Sequence, residues 1–362
     1  MLILNDLGYQ VGSQKILHEI SLEVRTGSLT VVLGPTGAGK TSLLRLLAGL
    51  EKPSAGSIEW EDQLGVRKRL QAQDVALVYQ QFVNYPSLTV YDNIASPLRQ
   101  RKGNNHQQIH EKVTELAELL GLQPFLKRLP HQLSGGQQQR TAIARALAKS
   151  AKLLLLDEPL VNLDYKLREA LRQEFSGLFQ KSQATVIYTS TEPEEALAMG
   201  GQIAILSQGH LLQTGVTRHL YDHPATIESA RIFSSPPMNI LPAYWQSGQP
   251  AFLTIGTETY PITLPWSGMA EAAYQLGIMA DDLQPVSNLI HSVSSNLVLT
   301  TTVLSSEING SETLLHLKYQ GFTLVMRQQG VKNYQTSQEL PIQFSLKKAF
   351  VFDNQGKRLT LS

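Results

Sequence analysis

The sequence predicts an α/β domain with a helical insertion, followed by an all-β second domain. Up to about residue 230, short apolar strands alternate with stretches of helical period. Residues 106–150 interrupt this alternation with two helical stretches in succession, and residues from about 240 to 362 form short β-rich runs. Alternating strands and helices are typical of a parallel sheet, whereas short runs divided by turn residues are typical of a small β-barrel or sandwich.

The first domain contains apolar runs of strand length. They are "SLTVVLG", "DVALVYQ", "KLLLLDEP", "TVIYTS" and "QIAILSQG". The segments "HQQIHEKVTELAELLGL" and "GGQQQRTAIARALAKS" have a helical period and no strand between them. We therefore predict a largely parallel sheet with a helical subdomain over about residues 86–150.

The second domain begins where the texture of the sequence changes, near Pro236-Pro237. Its strand candidates are "NLVLTTTVL", "TLLHLKY", "FTLVMRQ" and "KKAFVF", which are separated by Gly, Asn, Ser and Pro. The predicted domains are therefore residues 1–235 and 236–362.

Composition excludes several classes of function. The chain of 362 residues has a net charge of +1, which gives no electrostatic basis for binding nucleic acid. It has no cysteine, so disulfides, zinc thiolate sites and cysteine nucleophiles are excluded. No apolar run approaches the ~18 residues that a membrane-spanning helix needs, so we expect any membrane role to come through a partner.

The segment "GPTGAGKTS" fits the pattern G-x-x-x-x-G-K-[ST] between a strand and a helix. Its glycines let backbone N–H groups face phosphates, and the following helix directs its positive end at the same charge. Lys40 is expected to reach the β- and γ-phosphates, and Thr41 to bind Mg²⁺. A Gly-rich structural turn is the alternative, which the complete pattern in this context disfavours. The predicted binding residues are Gly34, Pro35, Thr36, Gly37, Ala38, Gly39, Lys40, Thr41 and Ser42.

Two further segments carry candidate chemistry. In "LLLLDEP", Asp157 emerges at the end of a buried strand, where it can support Mg²⁺, and Glu158 can orient an attacking water. In "LSGGQQQR", Ser134 can cap a helix whose N-terminus forms a second anion-binding end. The binding residues predicted there are Ser134, Gly135, Gly136 and Gln137. A plain strand-ending turn and a plain capped helix are the bland alternatives.

"LSGGQ" between a P-loop and "LLLLDEP" resembles the signature of ABC-type ATPases. The resemblance implies that Tyr9 stacks on adenine, that Gln80 contacts Mg²⁺ and the attacking water, and that Asp164 acts across a dimer. It also implies catalytic roles for Glu158 and Gln80, with Thr41, Gln80 and Asp157 at the metal. "PPMNILP", "LGIMADDL" and "NGSETLLHL" are similar to the OB-like TOBE domain of maltose-importer-type subunits.

Such membership implies specific partners and cofactors. ATP and Mg²⁺ bind between the P-loop of one ATPase subunit and the signature helix of another. Residues 80–95 receive a short helix from each of two transmembrane permease subunits, and an extracytoplasmic solute-binding protein delivers the substrate. The resemblance thus predicts a peripheral subunit on the cytoplasmic face of the bacterial inner membrane. The transported solute is expected to be a sugar, glycerol or another polyol, or glycerol phosphate, and nucleic acid is not an expected partner.

Thr191 is the main departure from the family pattern. Aligning "VIYTSTEPEEAL" with the family segment places Thr191 where the switch histidine stands, and no histidine lies between His131 and His210. Thr191, Pro193 and Glu194 also fit a capping box at a helix start. A threonine has no protonation change near neutral pH, so we expect slow hydrolysis at this chain's own site.

That expectation favours a heterodimer with a second ATPase subunit that retains its histidine. A homodimer with two slow sites is the alternative arrangement. Two other functions stay open: a non-catalytic regulatory subunit, and a soluble ABC ATPase not coupled to transport.

Overall fold

The computed structural model describes residues 1–359 with gaps. The gaps are residues 63, 82, 102, 162–165, 167, 170, 173, 174, 176, 178, 180–183, 249, 250, 263–269 and 287–295. The chain divides into two compact units, Met1–Leu220 and Tyr221–Ser362. This division lies upstream of Pro236-Pro237 because the segment around residue 225 bonds to the end of the chain. Ile227 N donates to Gly356 O at 2.9 Å, and Arg358 N donates to Ala225 O at 2.9 Å.

The first unit contains two sheets and the helices that cover them. Its strands are β1 (Leu2–Val11), β2 (Gln14–Val24), β3 (Leu29–Leu33), β4 (Ala55–Glu61), β5 (Arg67–Lys68), β6 (Val75–Val78), β7 (Leu153–Asp157), β8 (Thr185–Ser190), β9 (Gln202–Ser207) and β10 (His210–Val216). Its helices are α1 (Lys40–Leu47), α2 (Val90–Gln100), α3 (His106–Leu119), α4 (Gly135–Ala148), α5 (Pro193–Met199) and α6 (Thr217–Asp222), the last of which crosses into the second unit.

The larger sheet has the strand order β10-β9-β3-β8-β7-β6. All neighbouring pairs from β9 to β6 are parallel, and β10 pairs antiparallel with β9 at one edge. Both β7 and β8 are buried along their whole length, as expected for inner strands of a sheet that is covered on both faces. The predicted parallel α/β sheet is confirmed, and it brings the carboxyl ends of β3, β7 and β8 to one edge.

A second sheet, with the order β2-β1-β4-β5, is antiparallel throughout. The sequence patterns described above do not predict this sheet. Leu2 on β1 pairs with Val24 on β2 and with Trp60 on β4. Buried residues of β1 and β2 join the core beneath the larger sheet and α1.

The helical subdomain lies between β6 and β7 and contains α2, α3 and α4. Each helix begins at a side-chain cap: Thr89 for α2, Asn105 for α3 and Ser134 for α4. Asn93 is fully buried in α2, where its amide donates to three backbone carbonyls and its oxygen accepts from Tyr85 N at 2.8 Å. These bonds fix the loop before α2 onto the helix.

The second unit consists of two five-stranded antiparallel sheets and helix α7 (Ile227–Ile232). The strands are β11 (Asn239–Gln246), β12 (Ala251–Ile255), β13 (Glu258–Ile262), β14 (Ala272–Ile278), β15 (Gln284–Pro285), β16 (Asn296–Asn309), β17 (Glu312–Tyr319), β18 (Phe322–Gln329), β19 (Glu339–Ser345) and β20 (Phe350–Phe352). The orders are β13-β12-β11-β14-β20 and β15-β19-β16-β17-β18. Both sheets contribute to one apolar core, so the all-β second domain is confirmed and fits an OB-like domain.

Across the described residues, no helix is long and apolar enough to cross a membrane.

Thr30 on β3 provides a test of the core. It is 2% exposed, and its hydroxyl has no hydrogen-bond partner among the described residues. A buried polar group without a partner costs about 1–3 kcal/mol. We therefore expect Thr30→Val to raise the free energy of unfolding by about 1 kcal/mol, measured by urea denaturation.

Thr185 on β8 is the matched control, because its buried hydroxyl accepts a hydrogen bond from Gly27 N at 3.0 Å. Thr185→Val is expected to lower the free energy of unfolding, since it leaves that N–H without its partner. Changes of the same sign in both variants would contradict this explanation.

Candidate functional site

The loop from Gly34 to Gly39 connects β3 to α1 at the carboxyl edge of the parallel sheet. Gly34 N donates to Ser190 O at 3.2 Å, so the loop is tied to the end of β8. A Cβ on Gly34 would lie 2.0 Å from Leu206 O, and Gly39 has a φ of +101°. Position 34 has no room for a side chain, and position 39 has a backbone conformation that favours glycine. The two glycines therefore allow the loop to surround the N-terminus of α1.

Lys40 lies at the centre of this loop and is almost fully buried. Its ammonium donates to Gly34 O at 2.7 Å and to Pro35 O at 3.0 Å. It also forms an ion pair of 3.0 Å with Glu158 Oε1. A buried lysine that is held by carbonyls and one carboxylate is placed to exchange those acceptors for phosphate oxygens.

Asp157 ends β7 as a buried carboxylate, 4% exposed. Its Oδ1 accepts hydrogen bonds from Thr41 Oγ1 at 3.1 Å and Thr189 Oγ1 at 3.0 Å. Burial raises the pKa of Asp157, and the two hydroxyls oppose that shift by stabilising the ionised form. The carboxylate is therefore held in one orientation next to the first turn of α1.

Glu158 follows with a φ of +43°, in the left-handed region. Its backbone N donates to Thr189 Oγ1 at 2.9 Å. Its carboxylate pairs with Lys40 through Oε1, while Oε2 accepts from Gln80 Nε2 at 3.5 Å, the long limit for a hydrogen bond. The structure thus brings together Lys40, Thr41, Gln80, Asp157 and Glu158, although they come from three separate segments of the chain.

The oxygen donors of this cluster fit Mg²⁺. The ion prefers hard oxygen ligands and usually binds through one or two carboxylates together with substrate phosphates. Asp157 supplies a carboxylate, Thr41 a hydroxyl directly bonded to it, and Gln80 an amide beside Glu158. No cluster of three or more His, Cys, Asp or Glu residues capable of holding a metal occurs in the described part of the chain. The arrangement therefore suits a nucleotide-bridged ion.

The signature residues lie at the beginning of α4. Ser134 is the N-cap: its Oγ accepts from Gln137 N at 3.4 Å, and Gln137 Oε1 accepts from Ser134 N at 3.0 Å. Ser134 and Gly135 are exposed, and Gly136 is buried. The helix is 14 residues long, so its N-terminus carries the positive end of a helix dipole. Because Ser134 and Gly135 are exposed, that end faces solvent.

The other two predicted site residues stand apart from this cluster. Tyr9 is half-buried on β1, and a hydrogen bond to Glu51 raises the pKa of its hydroxyl. Its role toward adenine stays a prediction. Asp164 lies outside the described residues.

The predicted capping box at Thr191 and Glu194 is wrong. Helix α5 begins at Pro193 with Glu192 as its N-cap, and that cap makes no side-chain hydrogen bond. The hydroxyl that binds the free backbone donor belongs to Ser190, which accepts from Glu192 N at 2.9 Å. Strand β8 continues to Ser190, so the helix starts later than the box requires.

Ser190 belongs to a buried network that the sequence analysis did not assign. Its Oγ donates to Glu195 Oε2 at 2.6 Å, and Tyr188 OH donates to the same oxygen at 3.0 Å. Burial raises the pKa of Glu195, and the two hydroxyls oppose that shift. The signal in the sequence was the run of hydroxyl residues at the end of a buried strand, followed by an acidic helix start.

A groove of about 850 Å³ lies between the helical subdomain and the β6 edge of the parallel sheet. Tyr79, Val83 and Tyr85 line it, and each is exposed. Arg145 lies 4.7 Å from the Tyr85 ring centre and donates to Val83 O. Lys149, also in the groove, donates to Val75 O at 2.6 Å. The groove thus combines exposed apolar surface with two cations that bond to backbone carbonyls.

Known proteins resemble the chain along most of its length. A family model described as ABC transporter matches residues 17–161. The trehalose/maltose import ATP-binding protein MalK of Thermococcus litoralis is 38% identical over 355 residues, which cover 94% of each chain. The sn-glycerol-3-phosphate import ATP-binding protein UgpC of Yersinia enterocolitica is 33% identical over 316 residues, 87% of this chain and 86% of that one. The alpha-glucoside transport ATP-binding protein AglK of Rhizobium meliloti is 32% identical and covers 98% of each.

Solved structures match the first part of the chain. The dimeric structure of a post-hydrolysis state of the ATP-binding cassette MJ0796, bound to ADP and Pi, has a TM-score of 0.53 and 28% sequence identity. The match covers 60% of this chain and 99% of that one. The structure of cbiO1 from Clostridium perfringens, part of the ABC transporter complex cbiONQ, has a TM-score of 0.54 at 22% identity, which shows the fold alone.

Ser190 offers a direct test of the corrected helix start. Ser190→Ala removes one hydrogen bond to the buried Glu195 and leaves Glu192 N without its side-chain acceptor. We expect the free energy of unfolding to fall by about 1–3 kcal/mol, measured by urea denaturation. Thr191→Ala is the matched control and is expected to change it by less than about 0.5 kcal/mol. A larger loss at Thr191 than at Ser190 would restore the original capping box.

Proposed function

The chain belongs to the ABC transporter ATP-binding proteins, and on that basis we propose that it is the ATPase subunit of a bacterial importer. It couples binding and hydrolysis of MgATP to uptake of a small polar solute. The observation that carries the proposal is the contact cluster of Lys40, Thr41, Asp157, Glu158 and Gln80 at the mouth of the P-loop. Relatives named as import ATP-binding proteins for trehalose/maltose and for sn-glycerol-3-phosphate, and one named as an alpha-glucoside transport ATP-binding protein, support it.

Each group of residues at the site has a separate role in the proposed reaction. The loop amides and the N-terminus of α1 bind the phosphates, and Lys40 exchanges Glu158 and the loop carbonyls for β- and γ-phosphate oxygens. Thr41 and Asp157 would hold Mg²⁺, which would supply positive charge to offset that of the phosphates. Glu158, released from Lys40, accepts a hydrogen bond from the attacking water, and Gln80 keeps its carboxylate in place.

The site on this chain is proposed to hydrolyse ATP slowly because Thr191 occupies the position of the family's switch histidine. Thr191 lacks both the length and the titration of an imidazole. The nearest downstream histidine, His210, lies on β10 and stacks on His18 of β2 with ring centres 4.2 Å apart. That pairing already engages its ring, which argues against it as a substitute.

The signature at Ser134–Gln137 is intact, so it can complete the site of a partner. We therefore favour a heterodimer with a second ATPase subunit that keeps its histidine, with Asp164 at the contact between the two. Tyr9 is proposed to stack on adenine. The second unit is proposed to be a TOBE domain with a regulatory or dimerising role.

The groove beside β6 is the proposed docking site for two transmembrane permease subunits, near residues 80–95. Its exposed aromatic and aliphatic residues offer apolar contact, and Arg145 and Lys149 favour an acidic residue on the incoming helix. The subunit is then peripheral to the cytoplasmic face of the inner membrane, and an extracytoplasmic binding protein supplies a sugar, glycerol, polyol or glycerol phosphate.

The overall proposal is tested by reconstituting the chain with its permeases in vesicles and measuring ATP-dependent solute uptake.

Unequal sites predict unequal effects of equivalent mutations. Glu158→Gln in this chain removes the carboxylate that orients water at a site already proposed to be slow, so transport should fall by less than about threefold. The equivalent change in the partner ATPase is expected to abolish transport. Uptake in vesicles that carry each mutant separately provides the measurement, and complete loss from both would contradict the division of labour.

Docking in the groove predicts a local effect of charge. Val83 is 59% exposed, and Val83→Asp would place a carboxylate where apolar contact is expected. We expect binding to the permease subunits to weaken by at least about tenfold while nucleotide binding by the isolated chain is unchanged. Leu64→Asp is the control, because Leu64 is 89% exposed and does not line the groove. Equal weakening by both variants, measured by co-purification, would argue against this docking site.

A further inference from the structure

We propose that Thr189 is a positioning residue whose single hydroxyl fixes Asp157 and Glu158 together. The proposal rests on the proposed function, because it assumes that this site binds MgATP. Neither the P-loop motif nor the resemblance to the family assigned a role to Thr189.

The geometry gives both bonds to one atom. Thr189 pairs with Asp157 in the register of β7 and β8. Its Oγ1 lies 3.0 Å from Asp157 Oδ1 and accepts from Glu158 N at 2.9 Å. A threonine hydroxyl has one proton and two lone pairs, so it donates to the carboxylate and accepts from the amide at the same time.

The bond to Asp157 matters because the carboxylate is buried. Thr41 and Thr189 both donate to Oδ1, so hydroxyls from α1 and β8 fix the rotation of the carboxylate. Hydrogen bonds to a charged group are shorter and stronger than those between neutral groups, so these two bonds restrict the carboxylate to one orientation. Without Thr189, only the Thr41 hydroxyl holds Oδ1, and Thr41 is itself a proposed Mg²⁺ ligand.

The bond to Glu158 stabilises an unusual backbone. The left-handed region is sterically disfavoured for residues with a Cβ, and Glu158 lies there with φ +43°. The chain turns there, and the Glu158 N–H finds its acceptor in the Thr189 side chain. The turn sets where the Glu158 carboxylate projects, between Lys40 and Gln80.

Thr189 itself is fully buried and cannot reach substrate, so its role is positioning. A space-filling role would require neither bond. Thr30, on the adjacent strand β3, is buried in the same sheet with no hydrogen-bond partner for its hydroxyl among the described residues. The two threonines therefore differ in whether the hydroxyl contacts the site, which makes them a matched pair.

The test measures Mg²⁺ dependence on the full-length chain with a fluorescent ATP analogue. Thr189→Val keeps the side-chain shape and removes the hydroxyl. We expect affinity for the analogue in EDTA to stay within about twofold, and the Mg²⁺ concentration at half-maximal enhancement of binding to rise about tenfold, which corresponds to about 1.4 kcal/mol. Thr189→Ser should restore the wild-type Mg²⁺ dependence, and Thr30→Val should leave it unchanged.

Three outcomes overturn the proposal. A Thr189→Val chain that titrates with Mg²⁺ like wild type would exclude positioning by the hydroxyl. Equal loss of affinity with and without Mg²⁺ would indicate a purely structural role. If Thr189→Val does not fold, comparison of Thr189→Ser with Thr189→Ala isolates the hydroxyl at nearly equal size. A wild-type chain that binds no nucleotide would refute the proposed function and this proposal with it, whereas failure at Thr189 alone leaves the proposed function standing.

Discussion

The site depends on a carboxylate that the fold buries and then stabilises. Asp157 is the last residue of an inner strand, and its burial raises the pKa of its side chain. The hydroxyls of Thr41 and Thr189 offset the cost of burying the ionised carboxylate by donating hydrogen bonds to it. Thr41 lies in α1, just after the P-loop, and Thr189 lies near the end of β8. The parallel register of β7 and β8 makes this possible, because it sets Thr189 directly opposite Asp157. Sheet topology is therefore a condition for the chemistry at its edge.

Local patterns in the sequence were sufficient for the P-loop, the strands of the parallel sheet and two of the three helices of the subdomain, α3 and α4. In each case the information lies within one segment: glycine spacing, an apolar run or a helical period with a capping residue. The N-terminal antiparallel sheet was not predicted because its strands β1 and β4 are far apart in the sequence. The P-loop and α1 lie between them, and Leu2 pairs with Trp60. Periodicity within a strand does not identify so distant a partner.

The hydroxyl residues at the end of β8 show the same limit at the scale of the site. Thr189 and Ser190 carry no motif, and their roles come from residues opposite them in the sheet or one turn ahead in the helix. The helix start was misplaced because Thr191 and Glu194 had the spacing of a capping box. Strand β8 continues to Ser190. The third residue of α5, Glu195, provides a buried acceptor for the Ser190 hydroxyl. Spacing alone cannot rank such competing bonds.

The P-loop and the signature end of α4 are held by separate sets of hydrogen bonds, so under the proposed function one substitution can affect only one of two sites. The signature end of α4 is capped within its own first turn, by the reciprocal hydrogen bonds of Ser134 and Gln137. The β8–α5 connection is likewise held internally, by Ser190 and Glu195. A threonine in place of histidine at residue 191 therefore leaves intact both the cap of α4 and the cluster around Asp157. Under the proposed function, this chain keeps binding surfaces for two nucleotides, and Thr191 would slow catalysis only at the chain's own P-loop.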